Sequence, residues 1–113
     1  MCPRRPGDED RQGGQPTAAY LIGRMHITDP AAYEEYKKRT PALVQQFGGR
    51  FLARGGKRVT LEGPEEDRRV VIVEFPSLEQ ASRFYYSPEY QAAIRLRKGA
   101  ADGMEIVVVE GFE

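Results

Sequence analysis

From Ala18 to Ile27 the chain is apolar except at Gly23, Arg24 and His26, a run of strand length and β-compatible composition. Thr28, Asp29 and Pro30 then mark a helix start. The Asp29 carboxylate can accept from an orphan backbone amide, and Pro30 is preset for the first helical position. Tyr33, Tyr36, Leu43, Val44 and Phe47 recur at helical spacing, with Glu34, Glu35, Lys37 and Lys38 turned to water. Pro41 should kink this helix or restart it with Thr40 as cap, because a proline ring clashes with the carbonyl one turn back. Gly48 and Gly49 close it.

Arg50 to Arg54 reads as a short strand, Gly55 and Gly56 as a turn, and Lys57 to Leu61 as the returning arm of a hairpin, with loop from Gly63 to Asp67. Arg69 to Phe75, RVVIVEF, is rich in β-branched residues and stops at Pro76, so it is a strand. Ser77 with Gln80 forms a capping box, opening a helix that buries Leu78, Ala81, Phe84 and Tyr85. Ser87 and Pro88 restart the helical pattern, with Tyr90 and Ile94 inward up to about Lys98, and Gly99 ends it. Met104 to Glu110 is the last strand. The order is the split βαβ of a ferredoxin-like α+β fold, a four-stranded antiparallel sheet with helices on one face.

Two helices cover only one face of such a sheet, and the other should alternate to polar. Instead Val70 to Val73 and Ile106 to Val109 are apolar without a break, so both faces of these strands are apolar. A symmetric second copy is the simplest cover, which predicts a homodimer packed sheet face to sheet face.

The first 16 residues change the domain limits but not the fold. They hold three Pro, three Gly and six charges with only Met1 and Cys2 apolar, which predicts a disordered tail before a single domain at 17 to 113. Across all 113 residues, 17 Lys and Arg balance 17 Asp and Glu, leaving no net field to gather nucleic acid or an anionic membrane. No signal-like or membrane-spanning run is present, so the cytoplasm is the expected location. One cysteine and one histidine, Cys2 and His26, exclude an internal disulfide and any site needing two imidazoles.

The segments ITDPAAY, GGRFLARGG and RVVIVEFPSLEQASRFYYSPEYQ resemble the domain of unknown function 1330 family, within the dimeric α+β barrel superfamily. The resemblance spans about residues 18 to 111. It departs where Phe84, Tyr85 and Tyr86 stand in place of a tryptophan and a polar residue often found before the SPEYQ block. It implies the dimeric barrel fold and no particular reaction.

Strand alternation sorts Leu21, Gly23, Met25 and Ile27 to the helix side and Tyr20, Ile22, Arg24 and His26 to the dimer side. Glu74, with Val70 and Ile72, and Arg54, with Leu52, would look into the same barrel. The candidate cleft between sheet and helices is therefore lined by Tyr20, His26, Arg54, Glu74 and Tyr86, with Tyr90 as a further hydroxyl. In it His26 and Glu74 would act as acid or base, and Tyr20, Arg54, Tyr86 and Tyr90 would hold a ligand. Against these stand a structural histidine near a strand end, a self-neutralising Arg54 and Glu74 pair, and tyrosines that only pack. GGRFLARGG lacks the lysine and following helix of a phosphate loop, and no nucleophile elbow or metal-spaced cluster occurs. No cofactor is called for, and haem on His26 is the weaker alternative. The expected function is binding of an unknown small molecule, with a cofactor-independent monooxygenase- or isomerase-like activity implied only by superfamily resemblance. The competing expectation is a non-catalytic homodimeric binding or interaction module.

Overall fold

Each helix begins where a short polar side chain can satisfy a free amide. Asp29 accepts from the Ala32 amide at 3.2 Å, Ser77 from Gln80 at 3.1 Å and Ser87 from Tyr90 at 3.1 Å. The computed structural model describes residues 17 to 112, so the expectation for residues 1 to 16 lies outside the described residues. The elements are β1 (Ala19–Ile27), α1 (Pro30–Gln46), β2 (Arg50–Arg54), β3 (Arg69–Phe75), α2 (Leu78–Tyr86), α3 (Pro88–Leu96) and β4 (Ala101–Glu110). The sheet runs β2-β3-β1-β4 with every neighbouring pair antiparallel, the ferredoxin-like arrangement expected. No helix is long and apolar enough to cross a membrane among the described residues.

Ala19, Leu21, Gly23 and Met25 are buried along β1 and Tyr20, Ile22, Arg24 and His26 are half-buried, so period two fixes its faces as the sequence suggests. Ile27, at the end of β1, departs from that set and is only half-buried. On the helix side, Leu21, Val44, Val73, Phe75, Ala81, Phe84, Tyr90 and Ala93 form the core. Phe84 is its hub, with ring centroids 5.1 Å from Phe75 and 4.4 Å from Tyr90. Leu78, expected inward, is largely exposed at the first turn of α2. Ser87 serves two helices at once, donating to the Phe84 carbonyl at 2.8 Å while capping α3.

α1 ends in a Schellman closure. The Gly48 amide donates to the Gln45 carbonyl and the Gly49 amide to Val44, with Gly48 at φ 81° where a side chain would be strained. Of the two outcomes expected at Pro41, a kink or a fresh start, the fresh start does not occur, for α1 runs on through Pro41. Proline cannot donate to the carbonyl one turn back, that of Lys37. The missing donor comes from another element: Arg54 Nη2 on β2 donates to the Lys37 carbonyl at 2.8 Å, and the Thr40 hydroxyl adds a second contact at 3.4 Å.

A second correction concerns the hairpin. Lys57 to Leu61 form no strand, and β2 pairs directly with β3, with residues 55 to 68 as the connection. That connection is tied down at its far end, where the Glu66 amide donates to Thr60 Oγ1 at 2.8 Å. Val59 and Leu61 stand out of it, 78% and 86% exposed.

Candidate functional site

The sheet face away from the helices carries three rows of side chains set by the register. Arg50, Glu74, Tyr20 and Val109 form the first, Ala53, Ile72, Ile22 and Val107 the second, and Val70, Arg24 and Glu105 the third. The first row is an ion-pair ladder, with Arg50 Nε 2.7 Å from Glu74 Oε1 and the Tyr20 hydroxyl donating to Glu74 Oε2 at 3.4 Å. Beyond the third row, Arg68 holds both Glu66 and Glu105 at 2.8 Å, and Arg24 reaches Glu66 at 3.3 Å. The Arg68 guanidinium and amide lower the Glu66 carboxyl to about 2. Between these rows lies a strip of aliphatic residues.

His26 sits on this same face between two acids, Nε2 2.9 Å from Asp67 and Nδ1 3.4 Å from Asp102. The hydrogen bond to Asp67 raises the imidazole above its ordinary 6.5, with the charge of Asp102 in support. A raised folded value means that the stabilisation is complete below about pH 6.5 and fades as pH climbs through the folded value. As the only histidine, His26 gives one imidazole Hε1 line in an NMR titration. Its midpoint should lie above 6.5 and fall in Asp67→Asn; an unchanged midpoint in that variant would contradict the pairing.

The opposite side of the sheet holds the cavity. Leu21, Gly23, Met25, Phe51, Val71, Val73 and Ile106 form its floor, and Tyr33, Tyr36, Val44, Phe84 and Tyr90 its roof. Polar groups gather at one end, Lys37 and Thr40 from α1, Arg54 from β2 and Arg69 from β3. The space is partly open and measures about 50 Å³. By the same measure one water occupies roughly 10 to 15 Å³, so a small group fits. At the polar end it meets an open groove of about 300 Å³ bordered by Glu34, Lys37, Lys38, Arg54 and Arg69. Along β4 it adjoins a second groove of about 390 Å³, lined by residues including Tyr85, Tyr86 and Val108. The Tyr36 and Tyr90 hydroxyls share a hydrogen bond of 2.5 Å. Burial raises all three hydroxyls of Tyr33, Tyr36 and Tyr90, keeping them protonated at neutral pH.

The six residues singled out from sequence are thus divided between two faces of the sheet. Tyr20, His26 and Glu74 lie on the open face, while Arg54 and Tyr90 line the cavity. Tyr86, 75% exposed, borders only the groove along β4. Arg54 and Glu74 therefore cannot neutralise each other, and the reason is a single residue. Counting in twos from Arg50 would place Arg54 on the face of Glu74, opposite Val70, but a bulge at Leu52 leaves Phe51 opposite Val73 and Ala53 opposite Ile72. Parity is inverted from that point, and Arg54 turns to the helices opposite Val71. Three cationic residues of the cavity region, Lys37, Arg69 and Arg97, escaped the sequence reading. Two had a visible sign: Arg69 shares parity with Val71, Val73 and Phe75, and Arg97 lies on the stripe of Tyr90 and Ala93, so each is a charge on a core face.

The model of the family described as Domain of unknown function (DUF1330) matches residues 18–112. The chain belongs to the DUF1330 family. No functionally curated protein matches it. Among solved structures, this DUF1330 domain is similar to a protein of unknown function from Rhodopseudomonas palustris, at 18% identity over 86% of this chain and 84% of that one, with a TM-score of 0.69. It is also similar to SnoaB, a cofactor-independent oxygenase from Streptomyces nogalater, at 15% identity over 86% and 95% of the two chains, TM-score 0.62. A third likeness is to a dimeric protein of unknown function and ferredoxin-like fold from Bacteroides fragilis, at 14% identity over 83% and 96%, TM-score 0.55. These likenesses show the fold that the DUF1330 domain shares with them.

Proposed function

We propose that the cavity between the sheet and the helices receives a small organic molecule, and that the protein works as a homodimer joined through the open sheet face. The observation that carries the first part is an apolar space whose polar groups converge at one end, the usual form of a ligand site. SnoaB, described as a cofactor-independent oxygenase, has the same fold and supports an enzymatic reading. One feature favours the alternative, a non-catalytic binding role: neither carboxylate nor imidazole is among the cavity-lining residues, so they offer no ready general base. The dimer is supported by the aliphatic strip of Ile22, Ile72, Val107 and Val109 and by the relative described as dimeric. On this reading the protein is cytoplasmic, with its own copy rather than nucleic acid or membrane as partner.

Gly23 offers a direct test, because a Cβ there would point toward Met25 and Ile106 at ordinary contact distances, filling space without removing a polar group. A library of small aromatic and aliphatic metabolites screened by thermal shift should yield stabilising ligands whose effect disappears in Gly23→Val. Binding at a hundred times the dissociation constant would contribute about 2.7 kcal/mol. Hits that persist in Gly23→Val, or silence across the library, would count against the cavity.

A further inference from the structure

Around the cavity the charges are of one sign. Arg54, Arg69 and Lys37 line its polar end, and the one carboxylate near them, Glu34, stands at the outer groove and is taken up by Lys37 at 3.5 Å. Arg54 and Arg69 start from diagonal positions on the helix side of β2 and β3, since Arg54 opposes Val71. Like charges so placed repel unless something lies between them. Arg97, only 8% exposed, stands behind the wall, with its guanidinium 5.0 Å from the centre of the Tyr36 ring and Nη1 3.4 Å from Met104 Sδ. Tyr36 and Met104 both line the cavity.

No described acid forms an ion pair with Arg54, Arg69 or Arg97, and the Nε atoms of Arg69 and Arg97 are buried with no hydrogen-bond partner among the described residues. A buried N–H that has no acceptor is costly, and two of them lie close to one space. The hydroxyls add to the same bias. Tyr36 and Tyr90 share one hydrogen bond, which leaves one of their two protons to donate, and Tyr33 has its own. The cavity therefore presents many donors and few acceptors, and its complement is an acceptor with negative charge.

We propose that the ligand of this cavity carries an anionic oxygen head, a carboxylate or enolate, seated at Arg69 and Arg54, with its apolar body toward Met25, Val71 and Ile106. This rests on the small-molecule reading above and names the ligand class. A carboxylate matches the planar fork of a guanidinium, which an amide of equal size does not. An enolate fits the same donors and would arrive without needing a base from the protein.

Matched pairs sized to the cavity decide it: acetate against acetamide and propionate against propionamide, measured on the full chain by calorimetry and thermal shift. The acids should bind roughly ten- to a hundredfold more tightly than the amides. Arg69→Met and Arg69→Gln should abolish the preference and also raise the melting temperature, because each removes the buried Nε donor that has no acceptor. A structural arginine would behave oppositely. Equal binding of acid and amide, lost in Gly23→Val, would overturn the anionic head while the cavity reading stands. A lowered melting temperature with the preference intact would overturn the role of Arg69. If no acid binds, the proposal falls; the cavity reading falls with it only if no library compound depends on Gly23.

Discussion

Ile22→Lys is expected to release monomers. Ile22 lies at the middle of the open face, opposite Ile72 on one side and Val107 on the other, with Val107 and Val109 about half exposed in a single chain. In an isolated chain a lysine there would extend its ammonium to water and cost little. In a face-to-face pair the change is made twice, placing two ammoniums against each other in an apolar strip, where each unpaired charge costs several kcal/mol. Dissociation should therefore become easier by roughly a thousandfold or more. Sedimentation at micromolar concentration should show twice 12.8 kDa for the natural chain and 12.8 kDa for the variant. A natural chain that already sediments at the lower mass would remove the dimer.

The second large effect concerns α1. Arg54→Ala should destabilise the domain by about 2 to 3 kcal/mol, from the loss of a charged hydrogen bond to the Lys37 carbonyl and of the guanidinium 4.6 Å above the Phe51 ring. For a domain of this size that is a drop of roughly ten to twenty degrees in melting temperature. In a Pro41→Ala background the alanine amide can serve the same carbonyl, and Arg54→Ala should then cost about 1 kcal/mol or less. Strict additivity of the two substitutions in thermal or urea unfolding would show that Arg54 does not stand in for the missing amide. This structural duty is also why ligand recognition is better tested at Arg69, which carries no such bond.

Local chemistry was readable in advance because it is settled within a few residues. The caps at Asp29, Ser77 and Ser87, the closure at Gly48 and the faces of β1 all follow from neighbours in sequence. What failed depended on partners far along the chain. Pro41 stays helical because Arg54 arrives from another element, which no helical pattern records. Lys57 to Leu61 remains a connection because β2 already pairs with β3. The candidate site suffered most from the bulge at Leu52, since alternation assumes an even count and one extra residue falsifies it. Arg69 and Arg97 are legible by the same alternation and helical spacing, each being a charge on a core face.

That bulge makes strand pairing a determinant of chemistry. Were the bulge ironed out at constant length, β2 would keep its pairing near Arg50 but turn everything after it by half a turn, and Arg54 would stand opposite Val70, on the sheet surface where Glu74 lies. The cavity would forfeit a cation, α1 would lose the donor at Pro41, and the opposite compartment would acquire a charge, all without exchanging one side chain for another. In proteins of this architecture, a site can thus change compartments by the gain or loss of a bulge, and alignments that ignore strand parity will match arginines that never face the same space.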